Sequence, residues 1–271
     1  MPLLGLGTWM MGEKARRRAD EVAALRLGFD LGLTLVDTAE MYAGGGAEEI
    51  VGEAIAGRRD EVFLVSKVLP QNAAYQGVLR ACEGSLRRLR TDHLDVYLLH
   101  WPSRHPLEET IRAFTHLVEA GKTRFWGVSN FDVEDIDEAL RVAGARAIAC
   151  NQVDYHLKER AIEHAVIPWC ERHEVAVVAY SPFGSGDFPT PRSHGGTVLQ
   201  EIGSAHGATP RQVALAFLIR RPSVFAIPKA SEIAHVMEDA GAEAVSLTAE
   251  DLRRIDEAFP LGSRPHDLPM I

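Results

Sequence analysis

The sequence predicts an α/β protein, a (β/α)8 TIM barrel forming a single domain over residues 1–271. Three observations predict it. Eight short apolar runs recur at near-constant spacing, a helical pattern follows each, and polar residues capable of chemistry fall where the runs end. Strands are expected near 3–7, 34–37, 62–67, 94–99, 124–128, 147–151, 175–180 and 223–228, their starts separated by 31, 28, 32, 30, 23, 28 and 48 residues. One βα unit takes about 30 residues, so these are eight units in series. No polar or low-complexity stretch long enough for a linker interrupts them.

Helix signals fill the gaps. Ala47 to Ala56 follows a glycine run, Tyr75 to Leu89 is amphipathic, and Asp132 to Val142 opens with an acidic first turn. Thr209-Pro210 followed by Arg211-Gln212-Val213-Ala214-Leu215-Ala216 supplies an N-cap, a proline at the first helical position and then good helix formers. The main rival is an open doubly wound sheet. Its dinucleotide fingerprint would start at Gly5-Leu6-Gly7-Thr8-Trp9-Met10, but Met10 stands where the third glycine is needed for helix–strand packing. A barrel instead demands that chemistry lie at the carboxyl ends of its strands. Asp37, Lys67 and His100 end strands two to four, Ser129-Asn130 ends strand five, and Asn151-Gln152 strand six. Tyr180-Ser181 ends strand seven and Lys229 strand eight. Polar exits into solvent account for Ser, Asn and Asp, but poorly for Lys, His and Tyr.

Composition narrows the function classes. Lys and Arg total 29 against 38 Asp and Glu, a net charge of −9, which repels phosphate backbones and anionic lipid. Neither nucleic acid nor a membrane is an expected partner, and any anionic cofactor needs a local basic patch. Cys82, Cys150 and Cys170 are scattered without CxxC spacing, as expected of reduced thiols in a cytoplasmic protein. The start, Met1-Pro2-Leu3-Leu4-Gly5-Leu6-Gly7, is too short and uncharged for a signal peptide. None of the eleven histidines forms HxH or HExxH spacing, so no metal site is expected.

A lysine in an apolar strand is costly unless paired, and strand two offers Asp37 beside Lys67. A plain ion pair at the barrel mouth would explain those two. Tyr42, five residues after Asp37, adds a third party, because the intervening chain is long enough to return over the mouth. An adjacent ammonium is expected to lower the phenol pKa and make Tyr42 a usable proton donor. His100 can direct a carbonyl oxygen or relay a proton, although alone it reads equally as a core histidine. After strand seven, Ser181-Pro182-Phe183-Gly184-Ser185-Gly186 offers backbone N–H groups to a pyrophosphate, or is simply a flexible loop. Lys229 and Ser231, just before a helix, suit a ribose 2′-phosphate. Tyr180 presents a flat face for a nicotinamide, or packs in the interior. Trp9 and Trp101 are expected as aromatic walls around the substrate, with residues 183–196 as a movable flank.

From Gly5 to about Phe259 the chain resembles the aldo-keto reductase superfamily. The carriers are Leu4-Gly5-Leu6-Gly7-Thr8-Trp9, Asp37-Thr38-Ala39-Glu40-Met41-Tyr42, Val65-Ser66-Lys67 and Leu98-Leu99-His100-Trp101-Pro102. Gly127-Val128-Ser129-Asn130-Phe131, Asn151-Gln152-Val153, Tyr180-Ser181-Pro182 and Ile227-Pro228-Lys229 complete the series. The resemblance implies a catalytic tetrad of Asp37, Tyr42, Lys67 and His100 and the cofactor NADPH, with some use of NADH. It implies that Ser129, Asn130 and Gln152 hold the carboxamide, with Tyr180 beneath the ring and Thr8, Trp9 and Asp37 nearby. Ser181, Phe183 and Ser185 would follow the pyrophosphate, Lys229, Ser231 and His235 the 2′-phosphate, and Glu238 and Asp239 the adenosine. Trp9, Tyr42, His100 and Trp101 would meet the substrate, a small aldehyde or 2-oxoaldehyde such as methylglyoxal. The likeness is to bacterial reductases acting as monomers or weak oligomers. The departures are a largely missing floor hairpin, a short tail after Phe259, and Ala230, His235 and Asp239 where Ser, Arg and Asn are common. Two other readings remain: a Schiff-base lyase using Lys67, and a redox-sensing subunit with little turnover.

Overall fold

The computed structural model describes residues 2–270. Eight strands form one parallel sheet: β1 Gly5–Gly7, β2 Leu35–Asp37, β3 Phe63–Val68, β4 Leu94–Leu99, β5 Thr123–Ser129, β6 Cys150–Asp154, β7 Ala176–Tyr180 and β8 Val224–Ala226. Each pairs with its neighbour in sequence, and bridges Leu4–Ala226 and Gly7–Lys229 bring the last strand back to the first. The predicted barrel is therefore observed. Gly7 finds its explanation in this closure, since a Cβ there would lie 2.7 Å from the Ile227 carbonyl oxygen, whereas one on Gly5 would lie 2.6 Å from Leu35 Cγ on β2. Only glycine lets β1 approach β2 and the chain leaving β8 that closely.

The helices are α1 Arg18–Asp30, α2 Gly46–Ala54, α3 Tyr75–Leu89, α4 Leu107–Glu119, α5 Val133–Ala143, α6 Val166–Arg172, α7 His194–His206, α8 Pro210–Leu218, α9 Ile233–Ala240 and α10 Ala249–Ala258. None is long and apolar enough to cross a membrane among the described residues. Their starts follow local chemistry. Asp132 caps α5 and Thr209 caps α8, each in a reciprocal box with the residue three positions on, Asp135 and Gln212. The long connection after β7 holds α7 and α8 instead of an extended flank, so the irregular segment expected over 183–196 ends at Ser193. Strand six was expected at 147–151 and lies at Cys150–Asp154. Its register explains the shift: Asn151 and Gln152 pair with Val128 and Ser129 on one side and Val177 and Val178 on the other, so they lie within the strand.

Strand alternation sorts the side chains. Leu35, Val65, Val96, Leu98, Cys150, Val178 and Ile227 form an apolar cluster inside the barrel, separate from the larger core between sheet and helices. An apolar cavity of ≈ 210 Å³ remains in that interior, bordered by Asp37 and Gln152. Counting by twos along each strand, the next inward positions are Asp37, Lys67, His100, Gln152 and Tyr180. Outward-facing Ser66 does different work. Its hydroxyl donates to Glu48 Oε1 at 2.6 Å, and Arg88 Nε donates to Glu48 Oε2 at 2.6 Å, with Glu48 fully buried. This chain ties α2 and α3 to β3.

Two stability predictions follow from these buried acids. Glu48→Ala strands a half-buried Arg88 and should cost about 3 kcal/mol, or roughly 6–12 °C in Tm. An unchanged melting temperature would show that water replaces the carboxylate. Asp239, on α9, has both carboxylate oxygens buried without a hydrogen-bond partner. Burial pushes its pKa up to about 7, with Arg211 opposing and Glu238 adding to the rise. An acid raised in the folded state holds a proton that the unfolded chain has already lost, so stability falls as pH rises from about 4 to 7. Asp239→Asn should thus stabilise the protein more at pH 8 than at pH 5, by about 2–3 kcal/mol. Equal gains at both pH values would contradict the raised pKa.

Candidate active site

Lys67 lies fully buried in β3, and its three ammonium protons have three acceptors. Nζ donates to Asp37 Oδ1 at 2.5 Å, to the Thr38 carbonyl at 2.9 Å and to Tyr42 Oη at 3.2 Å. The second Asp37 oxygen accepts from Gln152 Nε2 at 2.7 Å. Both charges are therefore satisfied, the condition under which burial is tolerable. Thr8 is buried beside them, its hydroxyl donating to the Asp37 carbonyl at 2.9 Å.

Tyr42 returns over the mouth because its loop is fastened at both ends. Glu40 Oε1 accepts from Leu69 N at 2.8 Å and Asn72 Nδ2 at 2.9 Å, on the connection after β3. Beyond Tyr42, Ala43, Gly44 and Gly45 all have positive φ, turning the chain into α2. Arg88 packs over Gly45, where a Cβ would meet its Cδ at 2.6 Å. Trp9 lies edge-on to Tyr42 with centroids 4.9 Å apart, His100 at 5.8 Å, and Trp101 beside His100 at 4.8 Å. The four aromatic rings thus form one cluster at the carboxyl end of the barrel.

The electrostatics correct one expectation. Burial raises the Tyr42 pKa, Lys67 pulls it down and Asp37 raises it again, for a net direction upward. The lysine does act as expected, but removal from water outweighs it. Lys67 itself is pushed down by burial but held above its ordinary value by Asp37 and Tyr42, so it stays charged. His100 is lowered to about 2 by burial and then by Lys67. A neutral imidazole with a partnerless, buried Nδ1 results, so His100 has one ring N–H to donate.

A second network adjoins the first. Tyr180 Oη donates to Asn130 Oδ1 at 2.9 Å, and Asn130 Nδ2 donates to the His100 carbonyl at 3.1 Å and to Ser129 Oγ at 3.2 Å. Ser129 Oγ donates to the Gln152 carbonyl at 2.8 Å, completing a path back to Asp37. Asn151 takes no part: it faces outward and donates to the Phe131 carbonyl at 2.8 Å.

Two arms flank the mouth. After β7, Ser181, Gly184, Ser185 and Gly186 all have positive φ, and Ser181 Oγ lies 3.0 Å from Ser185 Oγ, a tight turn and not a loose loop. Phe183 is covered by the guanidinium of Arg211, 3.6 Å from its ring centroid. After β8, Lys229 Nζ donates to Ser231 Oγ at 2.9 Å. Glu238 lies 3.5 Å from Arg211 Nε, and His235 is exposed on α9. Sequence reasoning passed over Arg211, on a helix face without distinguishing pattern, and over Arg17, whose Nη2 donates to the Ser231 carbonyl at 3.3 Å. Arg17 had a signal: Arg16-Arg17-Arg18 is a basic run in an acidic chain. A further cavity of ≈ 480 Å³, lined by Leu157, Phe188, His194 and Phe259 among others, includes none of the tetrad.

Comparison with known proteins agrees with this geometry. Residues 3–259 match the description of the Aldo/keto reductase family. Methylglyoxal reductase YeaE of Escherichia coli (strain K12) is 48% identical over 271 residues, covering 100% of this chain and 95% of that protein. Glyoxal reductase of Bacillus subtilis (strain 168) is 32% identical over 259 residues, covering 94% of this chain and 88% of the other. An aldo/keto reductase from Klebsiella pneumoniae, solved in complex with NADP and acetate, superposes with a TM-score of 0.95 at 49% identity, covering 100% of this chain and 96% of that one. With its barrel, its ordered motifs and these relatives, the chain belongs to the aldo/keto reductase family.

Proposed function

We propose that this protein reduces small aldehydes and 2-oxoaldehydes such as methylglyoxal with NADPH, and that Tyr42 is the proton donor. One observation carries the reading: Tyr42 Oη accepts a hydrogen bond from Lys67, which leaves the phenol's own proton free to be donated outward. A bound nicotinamide would supply hydride to the carbonyl carbon. Negative charge then gathers on the carbonyl oxygen, and Tyr42 transfers its proton there. A raised phenol pKa is no obstacle, because an alkoxide is far more basic than a phenolate, and it keeps Tyr42 protonated at neutral pH. The phenolate left behind is stabilised by Lys67, which Asp37 keeps charged and in place. His100, held neutral, would orient the substrate by donating its ring N–H to the same oxygen.

The residues present fit the cofactor. Asp239 is a buried acid without a partner, and two cations converge on Ser231. Ser129, Asn130 and Gln152 would hold the carboxamide, Tyr180 the ring face, and Ser181, Phe183 and Ser185 the pyrophosphate. Lys229, Ser231 and His235 would take the 2′-phosphate, Glu238 and Asp239 the adenosine, with Thr8 and Trp9 beside the ring. A lyase is disfavoured, because a nucleophilic amine needs a lone pair and Lys67 has all three protons engaged. The reading extends to a single domain acting in the cytoplasm as a monomer or weak oligomer. In support of the cytoplasm, Cys82, Cys150 and Cys170 are all free and buried, and burial pushes each thiol up to about 12, away from reactivity.

The first test is cofactor oxidation across aldehydes of graded size, methylglyoxal included. Because the Trp9 and Trp101 walls separate neighbouring homologues by only about 1–3 kcal/mol per methylene, several substrates should turn over at comparable rates. No NADPH oxidation with any member would overturn the assignment. The second is Tyr42→Phe, expected to lower kcat by about 10²- to 10⁴-fold while NADPH binding, followed by fluorescence, stays near wild type. A kcat loss smaller than about tenfold would assign the proton to another group.

A further inference from the structure

We propose that Arg17, from the connection between β1 and α1, is a second cation of the 2′-phosphate site and sets the preference for NADPH over NADH, with Glu232 holding it in reserve. This rests on the cofactor reading above but concerns a residue from a different connection, the one between β1 and α1. Two cations reach one nearly buried residue. Lys229 donates to the hydroxyl of Ser231 at 2.9 Å, and Arg17 donates to its carbonyl at 3.3 Å. Like charges gathered around a single serine repel, and a bound anion would relieve that repulsion further than the neighbouring carboxylates do. Consistent with that, Lys229 is held below its ordinary pKa, first by burial and then by Arg17, with Glu21, Glu232 and Glu13 opposing.

Glu232 gives partial neutralisation, and its pairing is weak. The Arg17–Glu232 separation is 3.4 Å, and the two side chains are 35% and 57% exposed. An exposed ion pair of this kind contributes little and exchanges readily. Among the described residues, both contacts of Arg17 go through Nη2, which leaves Nη1 and Nε for a second acceptor. A guanidinium so placed can grip a phosphate with two parallel donors, which the ammonium of Lys229 cannot. Its neighbour Arg18 is not available for the same task, being committed to Glu53 at 2.9 Å and Glu49 at 3.5 Å. A ribose without the phosphate gives Arg17 nothing to leave Glu232 for. The discrimination therefore arises from a pair exchange: Arg17 turns from a carboxylate to a phosphate, and Glu232 returns to water.

The experiment is fluorescence titration of the full chain with NADPH and with NADH, in wild type, Arg17→Met, Arg17→Lys, Glu232→Gln and Lys229→Met. A charge-assisted contact to phosphate predicts that Arg17→Met weakens NADPH about ten- to a hundredfold, with little effect on NADH. Arg17→Lys should restore part of the loss, and Glu232→Gln should tighten NADPH while leaving NADH nearly unchanged. Arg17 is partly exposed, and melting temperatures of the variants check that each is folded. Loss of NADPH preference in Lys229→Met but not in Arg17→Met would overturn the role of Arg17 and leave the cofactor reading standing. Unchanged preference in both would overturn the phosphate position itself. Equal weakening of both cofactors in Arg17→Met would reduce it to a structural brace.

Discussion

The ion pair between Lys67 and Asp37 is the constraint around which the mouth of this barrel is arranged. Both side chains are almost wholly removed from water, above an apolar interior, so each must have every hydrogen-bonding position met. Lys67 meets three oxygens and Asp37 two donors, drawn from β2, β3, β6 and the Tyr42 loop. A displaced strand or a slipped register would strand one charge. The same lack of water sets the states of the neighbours. Tyr42 is kept protonated and His100 neutral by one cause, burial, acting on an acid and on a base.

Geometry this strict needs rigid elements beneath it. The alternation of two places a polar residue beyond each apolar one, Asp37 beyond Leu35, Lys67 beyond Val65 and Gln152 beyond Cys150, and the register staggers them, with Asp37 opposite Val65 and Lys67 opposite Leu98. The glycines of β1 serve the same end, Gly7 by admitting the chain that leaves β8 and Gly5 by admitting Leu35 of β2. Behind the sheet, Glu48 joins Ser66, next to Lys67, to the helix that follows the Tyr42 turn. The strand bearing the cation and the loop bearing the phenol are thereby fastened to one another from outside the barrel as well as across its mouth.

Charge is divided between surface and site. The chain as a whole carries −9, yet Lys229 and Arg17 meet at Ser231, and Arg211 lies between Phe183 and Glu238. An acidic exterior with a local cationic arm favours small anionic ligands over extended polyanions, because repulsion grows with every phosphate that must approach. Carboxylates beside two of these cations, Glu232 at Arg17 and Glu238 at Arg211, partly neutralise them.

Much of the architecture was legible in the sequence, since spacing near 30 residues and two-residue alternation are local properties that a βα repeat imposes. The placement of Asp37, Lys67 and His100 at strand ends followed from the same pattern, and the capped starts of α5 and α8 followed from side chains three residues apart. What the pattern could not carry were quantities that depend on neighbours distant in the chain. The bounds of β6 were missed because register is fixed by hydrogen bonds to β5 and β7, and apolar Ala147 and Ala149 looked equally strand-like. The direction of the Tyr42 pKa was misjudged because adjacency to a lysine can be guessed from spacing, whereas exclusion of water is a sum over the whole surrounding structure. Arg17 went unplaced for a similar reason: 214 residues separate it from Ser231. Left to itself, the sequence determined the repeat, the layer of polar strand ends and the chemical types present. The tertiary structure alone decided which charges meet, how dry they are and hence which protons they hold, because solvation and Coulomb interaction depend on distance in space and not along the chain.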